Sequence, residues 1–323
     1  MWRGVGLTGA AAALGCLAGP AWGGVGDILA PRVGDPEVQA IAGPEPVDPL
    51  ALWPALPFEP RWIGRPVPEW TFIPEGRLYP ARLAEIRYPR LAVRIIGSAR
   101  PHRPQLETAI GGQWAFIRWH PAGTDDWGLE IGGYAGMFMR FDLEHDTDLL
   151  NNDGIWGFPL SARWGAWSAK LQIGHISGHL GDETIKHQGM ESINYLKEEL
   201  TFGLAWEPAR WLHLYGEVAG ALRMGIEHGP RKERPWRLDG GIEFRPFEAW
   251  PDAWPYFVAL HAESRQEVGW NVSTTLSVGY VAWADGWHRS WRFSFDWHRG
   301  REVMTQFHDK RTQWWAITIT ADW

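Results

Sequence analysis

Five short reversals in this chain are bracketed by tryptophan pairs, Trp119/Trp127, Trp164/Trp167, Trp206/Trp211, Trp250/Trp254 and Trp283/Trp287, and Trp323 closes the chain. Each pair stands where one run of alternating apolar and polar residues ends and the next begins. A soluble core has no reason to place its largest side chains at every second turn. An indole, apolar with a single polar N–H, settles at the headgroup boundary of a bilayer. Six tryptophan-marked ends at one level predict an aromatic girdle of a transmembrane β-barrel.

Downstream of the N-terminus no stretch approaches the ~18 uninterrupted apolar residues of a spanning helix. The mean hydropathy of −0.29 is what alternating strands average to. At the C-terminus Trp315, Ile317, Ile319, Ala321 and Trp323 share one phase, and Ala316, Thr318, Thr320 and Asp322 share the other. Walking back from this strand (312–323) to the earliest one (90–98) gives about twelve strands. The fold class expected is all-β: a transmembrane antiparallel β-barrel with a proline-rich N-terminal segment. A soluble periplasmic β-sandwich or barrel, the competing architecture, would have to bury the Trp315/Ile317/Ile319 face. Long loops at 143–153, 179–190, 228–234 and 301–311 are expected opposite the tryptophan turns, on the outer side. Inward phases carry both signs of charge: Glu130 and Arg140; Lys170 and Gln172; His213, Glu217 and Arg223; Arg237, Asp239, Glu243 and Arg245; His261, Glu263 and Arg265; Arg292, Asp296 and His298. Such groups reach across a narrow barrel and pair, which predicts a largely closed, salt-bridged lumen.

Residues 1–23 resemble a secretory signal peptide, with Arg3, an apolar run from Val5 to Leu17 and a small-x-small site at Ala21-Trp22-Gly23. The one cysteine, Cys16, lies within it and is a poor lipoprotein site. Residues 24–89 hold 13 of the 24 prolines and no sustained period. They are expected to lie in the periplasm or to enter the lumen as a plug. Residues 90–323 form the barrel. A net charge of −7 argues against nucleic acid as a partner.

One constellation could carry chemistry. In Trp167-Ser-Ala-Lys-Leu-Gln-Ile-Gly-His-Ile-Ser177 the outward phase of Trp167, Leu171 and Ile173 continues to His175 and Ser177. Histidine on a lipid face is costly unless it lies at the rim or has a task. Pairing of the next strand near Gly178/Glu191 would place Asn194 opposite His175. Glu198 also falls in the outward phase, which predicts a bulge in that strand that would turn Asn194 inward. The bland alternative is a polar rim of His175, Ser177 and His179 bonded to loop backbone. Acidic residues at Asp142, Glu144, Asp146, Asp148 and Asp153, and at Asp182-Glu183, are expected in outer loops. Solvated loop charge is the simplest reading of them, and calcium shared with lipopolysaccharide phosphates is the alternative.

The outward His-x-Ser pair resembles the active sites of outer-membrane phospholipase A and the lipid A deacylase. This resemblance implies Ser177 as nucleophile on an acyl ester and His175 as general base. Asn194 would orient the imidazole, with His179, Asp182 or Glu183 as alternates. The Asn-Gly or Asn-Ala that follows the serine in those families is replaced here by Gly178-His179. A wider resemblance is to a bacterial outer-membrane barrel family, domain of unknown function 1207. It rests on Phe72-Ile-Pro-Glu-Gly-Arg-Leu-Tyr-Pro80, Leu149-Leu-Asn-Asn-Asp153 with Pro159-Leu160, His175-x-Ser177-x-His179-Leu-Gly-Asp-Glu183, and Ile193-Asn194. Three roles are therefore expected: a structural or surface-interacting barrel, with a lipid acyl-ester hydrolase and a pore or transporter as alternatives. The expected partners are outer-membrane lipids and lipopolysaccharide, and the barrel assembly machinery through the strand ending at Trp323.

Overall fold

The computed structural model describes residues 64–98, 104–144, 146–226, 236–250, 254–284 and 290–322. Residues 1–63, including the stretch expected to be a signal peptide and Cys16, lie outside the described residues, as do Trp287 and Trp323. A short strand β1 (Trp70–Phe72) precedes twelve barrel strands. These are β2 (Leu91–Ser98), β3 (Gln105–Trp119), β4 (Trp127–Asp142), β5 (Asp148–Trp164), β6 (Trp167–Leu180), β7 (Tyr195–Ala209), β8 (Leu212–Gly225), β9 (Trp236–Phe244), β10 (Tyr256–Arg265), β11 (Asn271–Ala284), β12 (Ser290–Arg301) and β13 (Arg311–Asp322). Each pairs antiparallel with the next, and β13 returns to β2, so the sheet closes and no free barrel edge is left among them. The turns at Trp119/Trp127, Trp164/Trp167 and Trp206/Trp211 follow the tryptophan pairs as expected, and the reversals between Trp250 and Trp254 and between Trp283 and Trp287 lie outside the described residues. One helix, α1 (Asp182–Gln188), stands in the loop after β6, where only irregular chain was expected, and Gly189 ends it in the left-handed region at φ 63°.

Polarity is inverted relative to a soluble protein. The outward phase exposes Ile95, Phe158, Leu171, Phe202, Phe293 and Ile317, while inward Arg94, Glu107, Lys170, Glu243 and Arg292 are buried. At the tryptophan end Trp167 stacks on Trp206 at 5.7 Å and Trp119 meets Trp127 edge-on at 5.9 Å. Trp70 of β1 joins this tier, stacked on Trp119 at 5.6 Å.

β1 and β2 share one position beside β3. β1 pairs with its residues 117–119 and β2 with its residues 105–109. Between them, after Ile73 turns at φ 49°, residues 74–90 pass into the lumen. Strands all round the wall hold this segment. Leu78 N–H donates to Glu130 (3.3 Å) and Leu83 N–H to Glu243 (2.6 Å), while Arg82 pairs with Glu217 (2.9 Å) and Asp239 (3.4 Å). Of the two places open to the proline-rich segment, its last part therefore takes the luminal one.

From the opposite end residues 302–310 fold inward. Glu302 pairs with Arg140 at 2.8 Å, Thr305 N–H donates to Asp153 at 3.0 Å, and Gln306 Nε2 donates to Gly178 O at 2.7 Å. Arg87 links the two insertions, pairing with Asp153 and donating to Val303 O at 2.7 Å. Met304, fully buried, packs with Phe138, Ile155 and Ala109. A cavity of about 120 Å³ remains between them, lined by Arg82, Glu199, Arg237 and Glu263 together with Ile155 and Val303.

Three placements differ from expectation. β5 begins at Asp148, so Asp148 and Asp153 are strand residues, and Asp153 is buried in the lumen rather than set in an outer loop. The bulge near Glu198 falls on β8, not β7. Glu198 pairs with Arg223 and Glu199 with Ala221, so Leu222 is the extra residue. That insertion also brings Arg223 onto the exposed surface beside outward Glu198 instead of into the lumen.

Candidate functional site

β6 carries its outward phase to the outer rim, as its alternation requires. His175 and Ser177 are both half-buried there. Register places Trp156 of β5 on one side of His175 and Glu198 of β7 on the other. The imidazole stacks on the Trp156 indole (centroids 5.3 Å, 21° between planes), and its Nδ1 lies 3.8 Å from Glu198 Oε1. One rung further out, Ser177 stands between Gly154 and Leu196. Gly154 offers no side chain to cover the hydroxyl. Residues i and i+2 of a strand are roughly 6.5–7 Å apart, and no hydrogen bond joins Ser177 Oγ to His175 among the described residues. A serine, an imidazole and a carboxylate thus line the lipid-facing side of two adjacent strands.

Asn194 does not face His175. Gly178 pairs with Tyr195 rather than near Glu191, so β7 is displaced by four residues from the expected register. The displacement has a local cause. Helix α1 and the extended stretch after it take up residues 181–194, and buried Tyr195 turns its hydroxyl inward to Glu267 at 3.1 Å. Asn194 sits just before β7 at φ 44°, with its side chain accepting from Ser192 at 3.3 Å. His179 is exposed at the end of β6, and Asp182 and Glu183 are exposed in the first turn of α1. None of the three bonds to His175 among the described residues. Glu198 is the residue that sequence reasoning passed over in this role. Its outward phase on the neighbouring strand was the available signal.

The acidic residues that a shared calcium would need together are separated. Asp142 accepts from Glu144 N–H at 2.9 Å, Asp148 meets His187 at 2.7 Å, and Asp153 holds Arg87. Among the described residues no three His, Cys, Asp or Glu side chains converge as metal ligands. Two titratable groups in the inserted loop are shifted. Burial alone would raise the Glu302 carboxyl, but the adjacent Arg140 and His298 outweigh it and hold Glu302 below the usual carboxylate range. Burial lowers the His308 imidazole, and Arg265 adds to this while Glu267 and Asp309 oppose it.

Residues 68–323 match the family described as Protein of unknown function (DUF1207). The chain belongs to this family. No curated protein matches the sequence. Among solved structures, the chain is similar to the Salmonella typhi outer membrane phospholipase dimer with bound calcium. The TM-score is 0.50 at 10% identity, over 73% of this chain and 92% of that one. It is also similar to outer membrane phospholipase A from Escherichia coli (0.48, 10%, over 73% and 91%) and to the KdgM porin (0.41, 10%, over 71% and 97%). At 10% identity the phospholipase of Salmonella supports the fold alone, that of an outer-membrane-type barrel.

Proposed function

We propose that this family member is an outer-membrane barrel that works at its outer surface and wall rather than as a conduit. A signal peptide over residues 1–23 would direct export, and the closing strand ending at Trp323 would be read by the barrel assembly machinery. The observation that carries this reading is Arg87, which joins residues 74–90 to the inserted loop 302–310 through Asp153 and Val303 inside the barrel. Two independent insertions tied by one guanidinium favour a non-conducting barrel over a pore or transporter. Planar-bilayer recording of the purified full chain tests it: the expected trace is flat, and steady open-channel currents would establish the pore reading instead.

A second reading is favoured by the row Trp156–His175–Glu198. Here the wall hydrolyses acyl esters of outer-leaflet phospholipid or lipid A. Glu198 would hold Nδ1–H of His175, leaving Nε2 to accept the Ser177 proton as Oγ attacks the ester carbonyl. The departing alcohol would take that proton to leave a lysolipid, and water would then release the fatty acid from Ser177. Trp156 fixes the ring plane. The measurement is fatty-acid release from labelled lipids in detergent, with and without calcium. Ser177→Ala should lower the rate by at least ~10³-fold, and Glu198→Gln by less. If wild type releases no fatty acid under either condition, His175 and Ser177 are rim residues only.

A further inference from the structure

Inside the barrel, arginine meets carboxylate. Arg94 pairs with Glu107 and Asp296, Arg245 with Glu243, and Arg292 with Asp322. On the outer wall the same residue type is arranged in the opposite way. Arg299 and Arg301 of β12 continue the outward phase of Phe293, Phe295 and Trp297, and Arg311 of β13 continues that of Ile317 and Trp315. Arg301 and Arg311 are direct cross-strand partners, and Arg299 is one rung in, opposite Gln313. Lys310, the last residue of the inserted loop, immediately precedes Arg311.

Like charges placed directly opposite on one sheet face destabilise the pair. Among the described residues none of the four cations forms an ion pair. Arg301 donates to the backbone carbonyl of Asp309, and Arg311 Nη2 donates to Asn271 Oδ1 at 3.1 Å. Lys310 Nζ lies 4.8 Å over the Phe307 ring. Arg299 and Arg311 are exposed.

The rungs below give the cluster its depth. Toward mid-membrane, Trp297 faces Trp315, then Phe295 faces Ile317, then Phe293 faces Ile319. The sequence from apolar side chains to indole to guanidinium is that of a bilayer interface, with the three guanidinium groups at headgroup level and on the lipid side. A guanidinium fork grips phosphate oxygens in pairs. Cross-strand neighbours lie roughly 4.5–5.5 Å apart and same-strand neighbours about 6.5–7 Å apart. That spread suits more than one phosphate above a broad set of acyl chains.

We infer that the Arg299/Arg301/Arg311 tier binds the phosphates of an outer-leaflet phosphoglycolipid, the lipid A portion of lipopolysaccharide. This rests on the outer-membrane reading above. It is separate from the His175 rim, which lies on β6 rather than on β12 and β13.

The test is tryptophan-fluorescence titration of the detergent-solubilised full chain with bisphosphorylated lipid A, fully dephosphorylated lipid A and phosphatidylglycerol. Wild type and the Arg65→Gln control, altered at the tryptophan end, should bind the bisphosphorylated lipid alike. Arg299→Gln/Arg311→Gln should bind it about tenfold more weakly or worse, the scale of a lost charge-assisted contact. Equal binding of the dephosphorylated lipid overturns the inference, and this comparison needs no variant to fold. So does a double variant that keeps its affinity. Phosphatidylglycerol binding as tightly as lipid A would reduce the tier to a general anionic-headgroup anchor and reject the glycolipid. Membrane fractionation of the unmodified protein checks the location separately.

Discussion

At the scale of single residues, the lumen concentrates the energetic risk. Asp153 is fully buried and holds Arg87, Thr305 and Asn151. Arg87→Met removes its only ion-pair partner among the described residues, and breaking one side of a buried pair costs about 3–5 kcal/mol. The expected outcome is a lower urea midpoint, largely recovered in Arg87→Met/Asp153→Asn, because the second change also removes the stranded charge. A double variant as unstable as the single one would show that Arg87 acts through packing on Phe138, over which it lies at 4.9 Å. Gly178 is the second sensitive position. A Cβ there would run into Thr305 Oγ1 and Asp153 Oδ1, so no side chain fits while the loop is inserted. Gly178→Ala should expel residues 302–310 and make them sensitive to protease added from outside, with the barrel still folded. Undiminished protection in this variant would mean that the loop is held by other contacts.

At the scale of elements, the inserted loop 302–310 should respond to acid. The lowered pKa of His308 means that the released loop binds a proton first as pH falls through the ordinary imidazole range. The groups facing it are Glu267, Arg265, Asp309 and the Tyr195 ring. Glu302 is also lowered, so its stabilising pair with Arg140 is present above the ordinary carboxylate range and lost as pH falls through its own depressed value. Acidification should therefore loosen the loop in two stages, imidazole then carboxylate. Proteolysis of the loop against pH measures this, and Glu302→Gln should remove the lower stage while leaving the upper one. Helix α1 matters differently. With the stretch that follows, it consumes the chain that would otherwise extend β7, and so fixes what stands opposite His175.

For the whole molecule, the exposed apolar belt and the closed strand pairing lead to one physical behaviour. Phe158, Ile173, Phe202, Phe293 and Ile317 are each at least 46% exposed, a surface that water does not tolerate over a whole barrel wall. The protein should stay with outer membranes through carbonate and high-salt washes. It should also migrate faster in unheated than in boiled electrophoresis samples, because closed strand pairing resists detergent. Release by carbonate alone would contradict a lipid-embedded barrel.

The sequence by itself determined the barrel. The tryptophan pairs mark turns at one level, and a side-chain period of two leaves no freedom about which residues face lipid once the strand exists, so His175 and Ser177 could be placed outward from sequence alone. The inward charges were legible for the same reason. Register was not, because it depends on how much chain a loop consumes. α1 and the stretch after it moved β7 by four residues and put Glu198, not Asn194, beside His175. The single extra residue at Leu222 turned Arg223 outward. Only the tertiary structure could decide that residues 74–90 enter the lumen, since their contacts are held by charges scattered over β4, β8 and β9 rather than by any local period. The facing arginines of β12 and β13 likewise depend on the pairing across their loop, which composition does not encode.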